Sequence, residues 1–236
     1  MPPITPYLLS SPIPFAPAQL DQFERYFAML IEWNAKMNLT AITAPEEVAQ
    51  KHFLDSVLPV VANKPRDAED SVPYMISKGS NCIDVGTGAG FPGVPLMIMR
   101  PDIKMTLLDS LNKRLIFLRE LCNALGLKAE IIHARAEDAG QDTNLRGKFD
   151  IALSRALAPA RVCAELTVPL LRVGGMSLMY KGAKAHEELA EAQGALSSLR
   201  CKGKIVKFPA SWGERNIIVV KKIAPTPDVY PRKRIR

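Results

Sequence analysis

Asn81-Cys82-Ile83-Asp84-Val85-Gly86-Thr87-Gly88-Ala89-Gly90-Phe91-Pro92-Gly93 is the stretch whose reading decides the fold. An apolar run reaches a carboxylate and then breaks into glycines spaced by single residues. A helical pattern opens directly behind, with Pro92 suited to its first turn. The order predicts a strand, a tight turn and a helix. Without a Cβ, glycine lets the turn take positive φ and lets a ligand lie against the backbone. The helix start adds unpaired N–H groups and a partial positive charge. A turn of this kind holds a nucleotide-like cofactor, whereas a merely connecting turn has no need of so many glycines after a strand.

Two cofactors fit the glycines. Gly86-x-Gly88-x-Gly90 is the form usual in class I S-adenosylmethionine methyltransferases. Shifted by two residues, Gly88-x-Gly90-x-x-Gly93 also satisfies the dinucleotide fingerprint. Asp84 bears on the choice, because a methyltransferase commonly places a carboxylate two residues before the first glycine, near the cofactor's amino-acid end.

The chain has 236 residues and is 47% hydrophobic and 23% charged. That suffices for one sizeable α/β domain plus an appendage. No apolar run reaches the length of a membrane span. The start lacks a basic n-region and carries Pro2, Pro3, Pro6, Pro12, Pro14 and Pro17, which would break a signal peptide. The expectation is a soluble cytoplasmic protein. Cys82, Cys122, Cys163 and Cys201 are far apart, so neither a metal site nor a CxxC motif is expected, and most read as small buried residues. The net charge of +7 is uneven: residues 1–70 carry −4 and residues 71–236 carry +11. A basic main domain suggests a polyanionic partner, although a solvated surface would give the same count.

Residues 1–17 read as a proline-rich disordered arm. Residues 18–78 read as a helical N-terminal extension and linker. There Leu20, Phe23, Phe27, Leu30 and Ile31 follow helical spacing. Thr43-Ala44-Pro45-Glu46 predicts a capping box for a second helix reaching about Ala62. His52, Asp55 and Ser56 share one side of that helix. They cannot easily form a hydrolase relay from one helix, so a structural or substrate-contact role is expected. Asn63 to Ser80 reads as linker. Residues 79–224 alternate strands and helices, which predicts a parallel sheet. The expected strands are Asn81–Val85, Met105–Leu108, Ala129–His133, Phe149–Ser154, Met176–Tyr180, Lys204–Phe208 and Asn216–Lys222, the last two antiparallel. Gly174-Gly175 reads as a helix stop, and residues 225–236 as a basic tail.

Such a sheet binds ligands beyond the carboxyl ends of its strands. Strand two ends in Asp109, placed either to bind ribose hydroxyls or to cap the next helix. After strand three, Ala136 and Glu137 suit an adenine edge or a helix dipole. Strand four ends in Ser154-Arg155-Ala156 and strand five in Lys181-Gly182, two cations beside one cleft. No Asp/Asn-Pro-Pro-aromatic motif and no nucleophilic cysteine follows strand four. The cleft is rich in cations and poor in bases.

These residues together carry a family resemblance. Trp33-Asn34 with Asn38-Leu39-Thr40, His52-Phe53-Leu54-Asp55-Ser56, Asp84 through Pro95, Leu107-Leu108-Asp109-Ser110 with Lys113-Arg114, Ala134-Arg135-Ala136-Glu137, Ser154-Arg155-Ala156, Lys181-Gly182 and Tyr230-Pro231-Arg232-Lys233 stand in one order over about residues 20–234. In these stretches the chain resembles the bacterial 16S ribosomal RNA guanine-N7 methyltransferase G family, also called glucose-inhibited division protein B. The resemblance implies an α/β class I S-adenosylmethionine-dependent methyltransferase, a Rossmann-like seven-stranded sheet with a helical N-terminal extension. It implies S-adenosyl-L-methionine as cofactor and, as target, a guanine in the 530 loop of 16S rRNA in the small ribosomal subunit or its precursor. No membrane, metal or catalytic side chain is expected. Its cofactor contacts carry over onto Gly86, Phe91, Ala136, Glu137 and Arg155, beside Gly88 and Asp109 from the motif itself. Arg114 and Lys181 are expected to meet substrate, and Arg155 and Lys181 to hold cofactor carboxylate or RNA phosphate. Phe91 departs from the leucine of many relatives. The rival readings are a nicotinamide oxidoreductase and an RNA-binding factor that kept the fold and lost the chemistry.

Overall fold

The computed structural model describes residues 2–61, 75–208 and 210–233. Its framework is one seven-stranded sheet ordered β3-β2-β1-β4-β5-β7-β6. The strands are β1 (Asn81–Val85), β2 (Lys104–Asp109), β3 (Ala129–His133), β4 (Phe149–Arg155), β5 (Leu171–Lys181), β6 (Cys201–Phe208) and β7 (Arg215–Lys222). The first five are parallel, and β7 runs antiparallel to both β5 and β6. Because β1 pairs with both β2 and β4, the strand order reverses beside the glycine turn, which is where such sheets open a crevice.

Alternation along the strands divides the apolar residues between two cores. Cys82, Met105, Leu107, Ile151, Leu153 and Leu178 face one core. It is closed by α2 (Pro17–Met37), α5 (Gly93–Met99) and α6 (Asn112–Leu125). Ile83, Val85, Leu108, Ala152 and Met179 face the other. It is closed by α8 (Ala160–Thr167) and α9 (Ala185–Ser198), while α7 (Ala136–Ala139) lies at the edge of this layer.

Five strands begin or end beyond their expected bounds, β2 and β7 by no more than one residue at an end. The strand β5 starts at Leu171 rather than Met176, so Gly174-Gly175 lies within a strand. The register shifts there, between Phe149 and Ile151 of β4. A Cβ on Gly175 would stand 2.9 Å from the Asp150 carbonyl oxygen, so these glycines permit an irregular ladder instead of ending a helix. The strand β6 starts at Cys201 because Gly203 lets Leu189 and Leu196 of α9 press onto the sheet, each 2.8 Å from where its Cβ would be. The strand β4 extends one residue further, to Arg155.

The expectation of a disordered arm over residues 1–17 is corrected. Thr5–Leu9 form α1, and Ile4 and Leu8 are wholly buried. Proline is tolerated at a helix start, and the Thr5 amide donates to the Glu24 carboxylate of α2 at 2.7 Å. The capping box is corrected too. Helix α3 (Pro45–Val48) has Ala44 at its N-cap with no side-chain cap. It continues through a π-helical turn (Ala49–Leu54) into α4 (Asp55–Val61). The linker reading falls largely outside the described residues, at 63–74.

The part of the basic tail that is described docks on the domain. Arg146 donates to the carbonyls of Gly140, Thr226, Pro227 and Tyr230. Pro231 packs where a Cβ on Gly140 would fall, 2.6 Å away. Arg232 gives its backbone N–H and a forked guanidinium to Glu165, which is only 2% exposed. Arg232 is thus tied to a buried carboxylate, and Arg234 lies outside the described residues. Replacing Arg232 by alanine strands that carboxylate, so the melting temperature falls, and Glu165→Gln in the same background recovers part of the loss. An unchanged melting temperature for Arg232→Ala would show that the tail docks without this pair.

Candidate functional site

The glycine turn is built around Asp84. Its Oδ2 accepts from the Thr87 hydroxyl at 2.7 Å and from the Gly93 amide at 2.9 Å, which staples the turn to the start of α5. Its Oδ1 is buried and has no hydrogen-bond partner among the described residues. Burial pushes the carboxyl up to about 6, against the opposing effects of the Thr87 and Gly93 donors and of Arg155. The glycines divide their work. Gly88, at φ +62°, has nothing within 4 Å of where a Cβ would be, so its face of the turn is open. Gly90, at φ +97°, packs instead, with the Tyr26 hydroxyl and Val94 each 2.8 Å from that position.

Asp109 lies next to this turn and does more than either sequence expectation. Its Oδ1 accepts from the Leu111 amide at 2.9 Å, a local turn bond. Its Oδ2 accepts from the Gly88 amide at 2.9 Å and from Arg114 at 3.3 Å. The carboxylate therefore ties the glycine turn to the loop that leads into α6, which itself has no side-chain cap, and lone pairs remain on it. Arg114, expected to meet substrate, is paired with Asp109 beside the glycine turn. Ala136 and Glu137 open α7 just beyond β3, and Glu137 pairs with Arg135 at 3.6 Å.

The far side of the cleft differs from expectation. Arg155 turns back into the protein. It donates to the Lys51 carbonyl at 3.1 Å, to the His52 carbonyl at 3.4 Å and to His52 Nδ1 at 3.1 Å. It lies 3.6 Å from the Asp55 carboxylate and 4.9 Å from the centre of the Phe91 ring. Arg155 thus clamps the N-terminal helices to the end of β4 rather than standing free for a ligand. Phe91 is similar: its ring stacks between Tyr26, at 5.2 Å and 10°, and His52, at 4.5 Å and 22°. A larger ring than leucine fits because these two planes sandwich it. The Tyr26 hydroxyl, 2.5 Å from the Ala89 carbonyl, fastens α2 to the glycine turn. Lys181 is held by Glu188 and by the Ala158 carbonyl, both at 2.7 Å.

His52, Asp55 and Ser56 form no hydrolase relay. The Ser56 hydroxyl donates to the His52 carbonyl, and Asp55 pairs with Arg155 and, at 2.7 Å, with Arg215 of β7. Sequence reasoning missed Arg215. No local sequence signal pairs it with Asp55, because the two are remote in the chain. Since Nδ1 of His52 accepts from Arg155, Nε2 carries the proton and donates to Thr40 Oγ1 at 2.8 Å. The arrangement offers a cradle of backbone and carboxylate groups and a wall of internally paired cations.

A family model described as rRNA small subunit methyltransferase G matches residues 19–218. The ribosomal RNA small subunit methyltransferase G of Streptococcus agalactiae serotype V is 44% identical over 230 residues, covering 96% of this chain and 92% of that protein. The protein of the same name from an Exiguobacterium species is 46% identical over 219 residues, covering 91% and 87%. A solved methyltransferase structure from Pyrococcus furiosus superposes with a TM-score of 0.54 at 16% identity, over 86% of this chain and 99% of that one.

The buried His52 gives stability a pH dependence. Burial and then Arg155 push its pKa from 6.5 down to about 3, so between those values the unfolded chain binds a proton that the folded site refuses. Its contribution to stability therefore falls as pH drops below 6.5, by about 1.4 kcal/mol per pH unit. Asp84 acts with the opposite sign: its raised pKa relieves a folding cost as pH falls through about 6. His52→Gln removes the first effect and leaves the second. In urea unfolding the variant should lose less stability than the parent between about pH 7 and 5. Equal losses would refute the assignment.

Proposed function

The chain belongs to the rRNA small subunit methyltransferase G family, S-adenosylmethionine-dependent enzymes of small-subunit rRNA, and from that premise we propose that it methylates N7 of a guanine in the 530 loop of 16S rRNA. Family membership removes the nicotinamide reading of the glycines. The observation that carries the cofactor assignment is the turn itself. The buried, unpartnered Oδ1 of Asp84 and the open face of Gly88 lie at the carboxyl edge of β1, and both suit a cationic amino acid joined to a nucleoside. Asp84, Gly86 and Gly88 would receive the amino-acid end, Asp109 the ribose, and Ala136 with Glu137 the adenine edge. Phe91 and Arg155 contribute by shaping the wall behind them. When bound, the cofactor supplies a methyl group on a cationic sulfur.

Guanine N7 carries an exposed lone pair and no proton, so its methylation requires no general base. The protein's work is to align the acceptor and exclude water. Both ring nitrogens of His52 are engaged, and His133, at the end of β3 opposite Asp109, has its Nε2 3.0 Å from the Ser110 carbonyl. A methyl-transfer assay on small subunits from a strain lacking the protein would separate this reading from that of a factor without chemistry.

Asp109→Ala should weaken S-adenosylmethionine binding by about 1.5–3 kcal/mol in calorimetry, as for hydrogen bonds to a charged group. Unchanged affinity in a folded variant would refute the ribose role. Methylated small subunits should gain one site of chain cleavage by reduction and aniline, which reports N7-methylguanine. Single-turnover rates should show no general-base pKa between about pH 6 and 9. Methyl incorporation without an aniline-sensitive site would overturn the N7 assignment and leave the methyltransferase standing. A rate rising about tenfold per pH unit would reveal a base.

A further inference from the structure

A cavity of about 320 Å³ opens at the carboxyl ends of β4 and β5 and the start of β7, lined by Asp55, Leu58, Arg155, Tyr180, Asn216 and Ile217 among others. It lies beyond the glycine turn, on the other side of the point where the strand order reverses. Its walls are of mixed character. Leu58, Tyr180 and Ile217 supply apolar surface. Asp55 supplies a carboxylate held by Arg155 and Arg215. Asn216 is the unusual member. It is 2% exposed, and its register opposite Lys181 places it at the rim of the sheet. Its Nδ2 donates to the Gly182 carbonyl and to Glu214 Oε1, both at 3.0 Å, which fixes which way the amide faces. Its Oδ1 is buried and has no partner among the described residues.

A buried acceptor without a donor costs stability, and such an atom is expected to be satisfied by a ligand. A group that enters the cavity can supply the missing donor. We propose that this cavity receives the target guanine and that Asn216 Oδ1, beside the Asp55 carboxylate, reads the N1–H and N2 amine donors of its Watson–Crick edge. Asn216 is then a specificity-determining residue, touching the base but not the reacting atoms. The proposal rests on the guanine reading above. Guanine presents two adjacent donors on that edge. Adenine presents an acceptor at N1, which would face Asn216 and Asp55 with like partners and leave buried groups unpaired. Reading guanine by this edge leaves N7, on a different edge of the ring, free of contacts that would occupy its lone pair.

The test compares small subunits reconstituted with guanosine or with inosine at the target position, inosine lacking only the N2 amine. For the parent enzyme kcat/KM should be at least about tenfold higher with guanosine, as for a site built to hydrogen-bond its substrate. For Asn216→Leu the guanosine rate should fall and the ratio approach one, with S-adenosylmethionine affinity retained. Asn216→Ser, which keeps a shorter acceptor and strains the fold less, should give an intermediate ratio. A full parental ratio in a variant that still binds the cofactor would overturn the proposal, as would a parental enzyme indifferent to the N2 amine. If the parent methylates guanosine subunits without forming N7-methylguanine, the underlying functional reading fails instead, and the aniline assay separates the two outcomes.

Discussion

One buried guanidinium holds the two parts of this protein together. Arg155 ends the strand beside the glycine turn, yet its partners, Lys51, His52 and Asp55, all belong to the π-helical turn and the helix that follows. Phe91, from the glycine turn, lies under the same guanidinium and against His52. Burial disfavours the charge, as shown by the downward push on the pKa of Arg155, with Asp55 as the first opposing group. An arginine in that position is stable only while the carboxylate and the carbonyls remain in place. The N-terminal helices are therefore a structural wall of the site, and removing them would strand a charge at the cleft.

The π-helical turn packs against the same guanidinium. Its Lys51 and His52 carbonyls accept from Arg155, and the His52 carbonyl also accepts from the Asp55 amide and the Ser56 hydroxyl. His52 completes the arrangement as a neutral ring that accepts from Arg155 on one nitrogen and donates to Thr40 on the other. An imidazolium could not accept, so the aromatic stack and the ion pairs favour the same protonation state.

The sheet was legible in the sequence because its strands are short apolar runs punctuated by glycine, proline and charge. Ala129–His133 and Asn81–Val85 match their expected bounds. Gly174-Gly175 misled because glycine marks a helix end and a strand irregularity equally well, and only the shift in the β4–β5 ladder distinguishes them. At the site, positions were legible and partners were not. Asp84 and Gly88 stand in one motif, and Asp109 ends the strand paired beside it, so the strand–turn–helix pattern fixes their proximity. The partner of Arg155 lies 100 residues upstream and that of Arg232 lies 67 residues upstream. No periodicity reports such a pairing. Proline content was equally ambiguous at residues 2–17, because a proline that excludes a helix interior is compatible with the first turn of α1 and of α2.

These pairings also set the electrostatics of the cleft. The sequence showed a row of cations at the strand ends. In the fold Arg114 meets Asp109, Arg155 and Arg215 share Asp55, and Lys181 meets Glu188. Three carboxylates thus answer four cations directly beside the cleft. The transfer proposed here begins with a positive charge on sulfur and ends with one on the guanine ring. Unpaired cations at the strand ends would repel both, and in a site drained of water that repulsion would be felt strongly. Paired cations keep their donor hydrogens in fixed positions while their charge is largely cancelled. The same side chains can therefore build the walls without opposing the charge that moves between them, and attraction for the RNA polyanion is left to the basic surface outside the cleft.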